Sequence, residues 1–147
     1  MPEILIRAAT ARDFNAVASL LAELGRDALT PESERAIKLG YEKYIKRPDT
    51  APLVAELDGQ VVGFLSLEYR QRLNRAAPQA WIPDLIVTEP KRGQGVGKAL
   101  LLRAFELARE QKCWSVTLES GTHRTTAHQL YKSEGMEEVG SYFLMKL

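Results

Sequence analysis

Between Leu85 and Leu102 an apolar strand gives way to Arg92-Gly93-Gln94-Gly95-Val96-Gly97-Lys98 and then resumes with the spacing of a helix. Residue types in this order suit an anionic oxygen ligand. The first N–H groups of a helix have no partner within it and lie at the positive end of the macrodipole. Glycines at the entry let a pyrophosphate approach the backbone, and Arg92 and Lys98 add positive charge at the rim. Three glycines each cost helix stability, so their concentration here asks for a function.

Two phosphate loops fail on spacing. A Walker A loop requires Gly, four residues, then Gly-Lys-Ser/Thr, but the residue five before Gly97 is Arg92 and Ala99 follows Lys98. In the dinucleotide fingerprint Gly-x-Gly-x-x-Gly the third glycine comes one residue later than Gly97, and the strand stands near the start of the fold, not deep in the chain. A plain left-handed turn between strand and helix is the alternative for a lone Gly-x-Gly.

A second group lies downstream: Leu118-Glu119-Ser120, then Ala127-His128-Gln129-Leu130-Tyr131-Lys132-Ser133-Glu134-Gly135-Met136. Arg-x-x-Gly-x-Gly after a strand, followed in order by strand, helix, Tyr and Gly plus a large apolar residue, resembles the GNAT family of N-acetyltransferases. The run Ser120 to Arg124 with Ala127-His128 and Tyr131 is similar to the branch that includes the aminoalkylphosphonate N-acetyltransferases. The resemblance implies acetyl-CoA as cosubstrate, its pyrophosphate held by Arg92, Gly93, Gln94, Gly95, Val96, Gly97 and Lys98, and its pantetheine arm bonded to the backbone of Leu85, Ile86 and Val87. The family's usual Asn seven residues before the tyrosine is Arg124 here.

Acetyl transfer to an amine needs an uncharged nitrogen, a polarised thioester carbonyl and a proton for the departing thiolate. The resemblance implies Tyr131 as that acid, a role a phenol can fill; a tyrosine on an amphipathic helix otherwise packs. For the base three carboxylates stay open. Glu119 precedes Tyr131 by twelve residues, a spacing similar to that of ribosomal-protein N-terminal acetyltransferases; Asp84 lies mid-strand; and Glu68, near the end of a hairpin strand, can face the same cleft and the acceptor. Each could instead sit in a surface ion pair. Arg124 suits an anionic part of acceptor or cofactor, and Trp81 suits either the acceptor cleft or the core. His123 and His128 stand five residues apart, outside the i, i+4 pairing of a helical zinc site, and no Cys or carboxylate pattern completes a ligand set, so no metal is expected.

The acceptor stays open at this level. The branch suggests a small primary amine, with an anionic group received by Arg70, Arg72 or Arg75; Glu32 and Glu34 could instead draw in polyamines or aminoglycosides. A peptide N-terminus, or a sensor that binds acyl-CoA without transferring it, are the other readings.

The chain itself sets bounds. Its 147 residues, 45% hydrophobic and 27% charged, suit a single domain over 1–147. A net charge of +1 with no basic run gives no reason to expect nucleic acid. No apolar stretch reaches the roughly 18 residues of a spanning helix, and Met1-Pro2-Glu3 lacks a signal peptide's regions, so no membrane is expected and the cytoplasm is. Cys113, the one cysteine, allows no internal disulfide and reads as an inert thiol.

Along the chain, Ile4 to Ala8 reads as a strand, and Thr10 with Asp13 as a capping box before a helix whose Phe14, Val17, Leu20, Leu21 and Leu24 share one face up to Gly25. A second helix runs from after Pro31 towards Tyr44. Leu53 to Leu57 and Gln60 to Tyr69 form a hairpin about Asp58-Gly59, the best dipeptide for a type I′ turn. A loop to Gln79, the strand Ala80 to Val87, the helix after Gly97, the strand Cys113 to Glu119, the helix Thr125 to Glu134 and a closing strand Val139 to Leu147 complete the order βααβββαβαβ. That order predicts an α/β fold, a mixed sheet with helices on both faces. The resemblance further implies two parallel strands splayed around the cofactor, and a homodimer through Ser141 to Leu147.

Overall fold

The computed structural model describes residues 3–147; Met1 and Pro2, part of the terminus read above as lacking a leader, lie outside the described residues. The chain falls into two compact units, one up to Thr117 and one from Leu118 to Leu147.

In the first unit β1 (Ile4–Ala8), β2 (Leu53–Leu57), β3 (Gln60–Leu65) and β6 (Leu85–Val87) form one antiparallel sheet in the order β1-β2-β3-β6. The β2–β3 hairpin turns on Asp58 and Gly59, both at positive φ (53° and 76°), as a type I′ turn demands. A second sheet runs β4-β5-β7, from β4 (Glu68–Arg70), β5 (Gln79–Ile82) and β7 (Val116–Leu118). Two strands read as continuous are therefore interrupted: Gln60 to Tyr69 at Ser66-Leu67, and Ala80 to Val87 at Pro83-Asp84.

The interruptions face each other and are tied together. Ser66 N–H donates to Asp84 O at 3.0 Å, Asp84 N–H to Ser66 Oγ at 2.8 Å, and the Ser66 hydroxyl to Asp84 Oδ2 at 2.8 Å. A proline contributes no ladder N–H, and side-chain bonds replace the regular pairing.

Helices cover both faces of the first sheet. Val17 and Leu20 of α1 (Phe14–Leu24) join Phe64 and Ile86 in one buried cluster, against which Tyr41 of α2 (Glu34–Tyr44) packs. The neighbouring Gly63 instead faces Val96 and Leu100 of α3 (Val96–Glu110), because successive strand residues point to opposite sides. The expected Thr10–Asp13 capping box is present, and Arg7 adds to it. Thr10 N–H and Oγ both donate to Asp13 Oδ2 (2.7 and 3.1 Å), while Arg7 grips Asp13 Oδ1 and Oδ2 with two N–H groups (2.9 and 2.8 Å), since a buried carboxylate needs a cation more than a hydroxyl. A 3-10 turn, Ala11–Asp13, opened by Thr10, precedes α1.

The second unit holds α4 (Thr125–Ser133), which ends at Gly135 with Gly135 N–H on Lys132 O (3.1 Å) and Met136 N–H on Tyr131 O (2.9 Å). Beyond it the expected closing strand, Val139 to Leu147, is not formed. These residues carry no helix or strand, and Val139, Tyr142, Phe143, Leu144, Met145 and Leu147 are all exposed. Apolar β-forming residues show that a segment suits a sheet; pairing also requires an edge to receive it.

Candidate active site

β6 carries the first part of the site. Asp84 O accepts from Ser66 and Thr88 N–H donates to Val62 O at 2.8 Å, so antiparallel alternation turns the peptide groups of Ile86 towards β3 and those of Leu85 and Val87 away from it. No strand among the described residues occupies that other edge. β7 attaches instead at β5, through Ala80 N–H to Ser115 O (2.9 Å) and Trp114 N–H to Pro78 O (3.0 Å), ascending in parallel. Of the three residues expected to meet a pantetheine arm, Leu85 presents its N–H and carbonyl and Val87 its N–H to an open edge, the Val87 carbonyl accepting from Arg92. Ile86 gives its side chain to the core and its peptide to β3.

The strand leads into the glycine loop. Gly93 and Gly95 have φ of 79° and 87°, and a Cβ at either would meet nothing within 4 Å, so the backbone is accessible. Gly95 caps α3 with no side-chain hydrogen bond, leaving the helix start for an anion. Gly97 lies in the first turn, Val96 is buried as its anchor, and Gln94 and Lys98 are exposed beside it. Arg92 works differently from a free rim charge: its Nε donates to Val87 O at 2.8 Å and an Nη lies 3.9 Å from Glu23, which also accepts from the Thr88 hydroxyl and Glu89 N–H. Arg92 thereby ties the loop to the end of β6 and to α1.

The three carboxylates separate. Asp84 is engaged on both oxygens, Oδ1 by Arg26 Nε (3.0 Å) and Oδ2 by Ser66, so it clamps the interruption of the sheet. Glu68 accepts a hydrogen bond from the Tyr44 hydroxyl (3.1 Å) and lies opposite Trp81. Burial and the nearby carboxylates Glu68 and Asp84 push the Tyr44 phenol well above its ordinary range, so it remains a donor. Tyr44 was not singled out from sequence; an aromatic closing a helix four residues ahead of Pro48 was the available signal. Trp81 is half-buried with the Arg70 guanidinium 4.8 Å from its ring centroid.

The second unit holds the remaining candidates. Glu119 is exposed at its start, and Arg124 forms the N-cap of α4. Tyr131 is half-buried; burial raises its phenol, while Arg124 and the approaching Ser120 hydroxyl pull the other way. Its ring lies 6.5 Å from that of His128. His123 is exposed, packed over Gly121, and no three His, Cys, Asp or Glu side chains converge as a metal site among the described residues.

An open strand edge running into an uncapped, glycine-entered helix matches what comparison with known proteins returns. The Acetyltransferase (GNAT) family profile matches residues 14–136. The chain belongs to the GNAT family. Among the GNAT relatives, the aminoalkylphosphonate N-acetyltransferase of Salmonella typhimurium is 32% identical over 138 residues, covering 94% of this chain and 88% of that protein. A putative acetyltransferase from Agrobacterium tumefaciens superposes with a TM-score of 0.85 at 27% identity, covering 97% of this chain and 99% of the other. An aminoglycoside N-acetyltransferase solved with CoA shares the fold, with a TM-score of 0.82 at 17% identity over 100% of this chain and 96% of that one. This GNAT protein is an acyl-CoA-dependent N-acetyltransferase, with a mixed α/β fold. No helix among the described residues is long and apolar enough to cross a membrane.

Proposed function

We propose that this protein acetylates the primary amine of a small molecule of the aminoalkylphosphonate type, by direct attack of the amine on acetyl-CoA. The observation that carries the reading is the open edge of Leu85 and Val87 leading to Gly93 and Gly95, beside a sheet face bearing Glu68, Trp81 and Arg70. Acetyl-CoA supplies an activated acyl group and a thiolate leaving group. Gly93 to Lys98 hold its pyrophosphate, and Leu85 and Val87 bond its arm as an added strand would.

The chain's own groups move the protons. The acceptor nitrogen gives up its proton to a carboxylate, for which Glu68, with no cation within ion-pair distance among the described residues, is favoured over Asp84, held by Arg26; Glu119 is the candidate of the second unit. Tyr131, kept protonated by burial, returns a proton to the sulfur, with Arg124 towards the anionic part of a ligand. Residues 1–147 serve as a single acyltransferase domain, working in the cytoplasm. A homodimer would cover the exposed apolar run from Val139 to Leu147, too large a stretch to leave in water.

Release of CoA thiol from acetyl-CoA, followed over aminoalkylphosphonates, polyamines, aminoglycosides and short peptides, tests this directly. Turnover with the phosphonates alone is expected. Preference for peptides would move the assignment to protein acetylation, and CoA binding without transfer to any amine would make the protein a sensor.

A further inference from the structure

β4 places Glu68 and Arg70 two residues apart on one face, their Cα atoms about 7 Å from each other by strand geometry. The register sets Trp81 opposite Glu68 and Gln79 opposite Arg70, so all four side chains share that face. The two charges are furnished in complementary ways. Glu68 has one oxygen fixed by the Tyr44 hydroxyl, and no cation lies within ion-pair distance of it among the described residues. Tyr44 is itself braced, its carbonyl accepting from Thr50 Oγ at 2.6 Å and its ring flanked by the Arg47 guanidinium at 5.7 Å.

Arg70 is held only by neutral groups: Nε donates to Gln79 Oε1 (3.0 Å), one Nη to Thr117 Oγ (3.2 Å), and its plane lies over Trp81. The other arginines tied into this unit by several bonds, Arg7, Arg26, Arg47, Arg92 and Arg103, each meet a carboxylate. A half-buried guanidinium given fixed orientation, three spare N–H groups and no counter-ion is built to receive an anion. A carboxylate with one oxygen committed to a phenol and the other uncommitted is built to receive a cation.

We propose that these residues form a two-point acceptor site for a compact zwitterion, the ammonium on Glu68 braced by Tyr44 and the anionic group on Arg70 beside Trp81. The inference rests on the acetyltransferase reading above and narrows its acceptor. A polyamine would bring a second cation against Arg70, and a plain alkylamine would leave Arg70 without an anion. Side chains rising from Cα atoms about 7 Å apart suit an acceptor whose ammonium and anion are separated by only a few bonds.

The test compares acceptors matched in length: an aminoalkylphosphonate, the alkylamine lacking the phosphonate, and the corresponding diamine. The zwitterion should exceed the alkylamine in kcat/KM by about ten- to hundredfold, the range for one charge-assisted pair. Arg70→Gln should bring the two within about threefold, and Arg70→Lys should restore part of the preference. Tyr44→Phe should raise KM for both acceptors more than it lowers kcat, with KM for acetyl-CoA moved by neither variant. If Arg70→Gln slows both acceptors equally, or the diamine outruns the zwitterion, the two-point site is wrong while acetyl transfer stands. Failure to acetylate any of the three would overturn the proposed small-molecule acceptor and this inference with it.

Discussion

Replacing Gly63 by alanine tests the coupling between sheet and phosphate loop. A Cβ at Gly63 would lie 3.0 Å from Leu100 Cδ1, 3.2 Å from Val96 Cγ1 and 3.3 Å from the Ile86 carbonyl oxygen. None can yield freely. Leu100 and Val96 are 0% and 1% exposed, and Ile86 O belongs to the backbone of β6. Overpacking of this kind costs about 1–3 kcal/mol, and the narrower unfolded ensemble of alanine returns about 0.4–1 kcal/mol. A net loss of about 1–2 kcal/mol should lower Tm by roughly 3–8 °C in a chain of this size. Val96 is also the first residue of α3, directly after Gly95, so relieving the clash shifts the helix start proposed above to receive the pyrophosphate. CoA at a concentration about a hundredfold above its wild-type Kd should stabilise the native protein by about 2.7 kcal/mol, and a tenfold weaker site would forfeit about 1.4 kcal/mol of that. Thermal melts with and without CoA measure both effects. A variant that melts within about 1 °C of the parent and keeps its full CoA shift would show that Gly63 does not couple the sheet to the start of α3.

Gly40 is the control in the opposite direction: exposed on α2 with nothing within 4 Å of a built Cβ, it should gain about 0.5–1 kcal/mol as alanine, read from the urea midpoint. Asp13, 5% exposed, has its carboxyl lowered from 3.8 to about 2 chiefly by the hydrogen bonds from Arg7. A lowered folded value means stability fully present above about pH 4 and lost as pH falls through 2, worth about 2 kcal/mol. Asp13→Asn should remove that acid-labile portion, seen as a smaller difference between urea midpoints at neutral pH and in acid. Tyr131→Phe should reduce kcat by about a hundredfold with KM for acetyl-CoA unchanged, and an undiminished kcat would take the phenol out of the mechanism.

What the sequence made legible was local. The Asp58-Gly59 hairpin, the strand-to-helix glycine loop and the Gly135-Met136 end of α4 each rest on dihedral demands that a few neighbouring residues announce. What it hid was relational. The interruption at Ser66-Leu67 exists because Pro83-Asp84 lies across from it, eighteen residues on, and its bonds run through the Ser66 side chain. Asp84 looked like a free mid-strand acid until Arg26 was found on it, and Arg92 like a ligand-facing cation until Val87 O was found to hold it. Tyr44 acquires meaning only from Glu68, twenty-four residues away. The closing strand failed for a related reason: its residues have the right character, but an edge to pair with is a property of the whole assembly.

The clamp between Ser66 and Asp84 bears on how the cofactor arrives. Because proline and the serine bonds divert the strand during folding, the edge at Leu85 and Val87 exists before any ligand does, and nothing in the first sheet must be prised open to admit one. On the function proposed above, acetyl-CoA would meet a pre-organised rail. Its affinity is not taxed by a conformational equilibrium, and the cost of keeping a sheet incomplete was met once, when the chain folded.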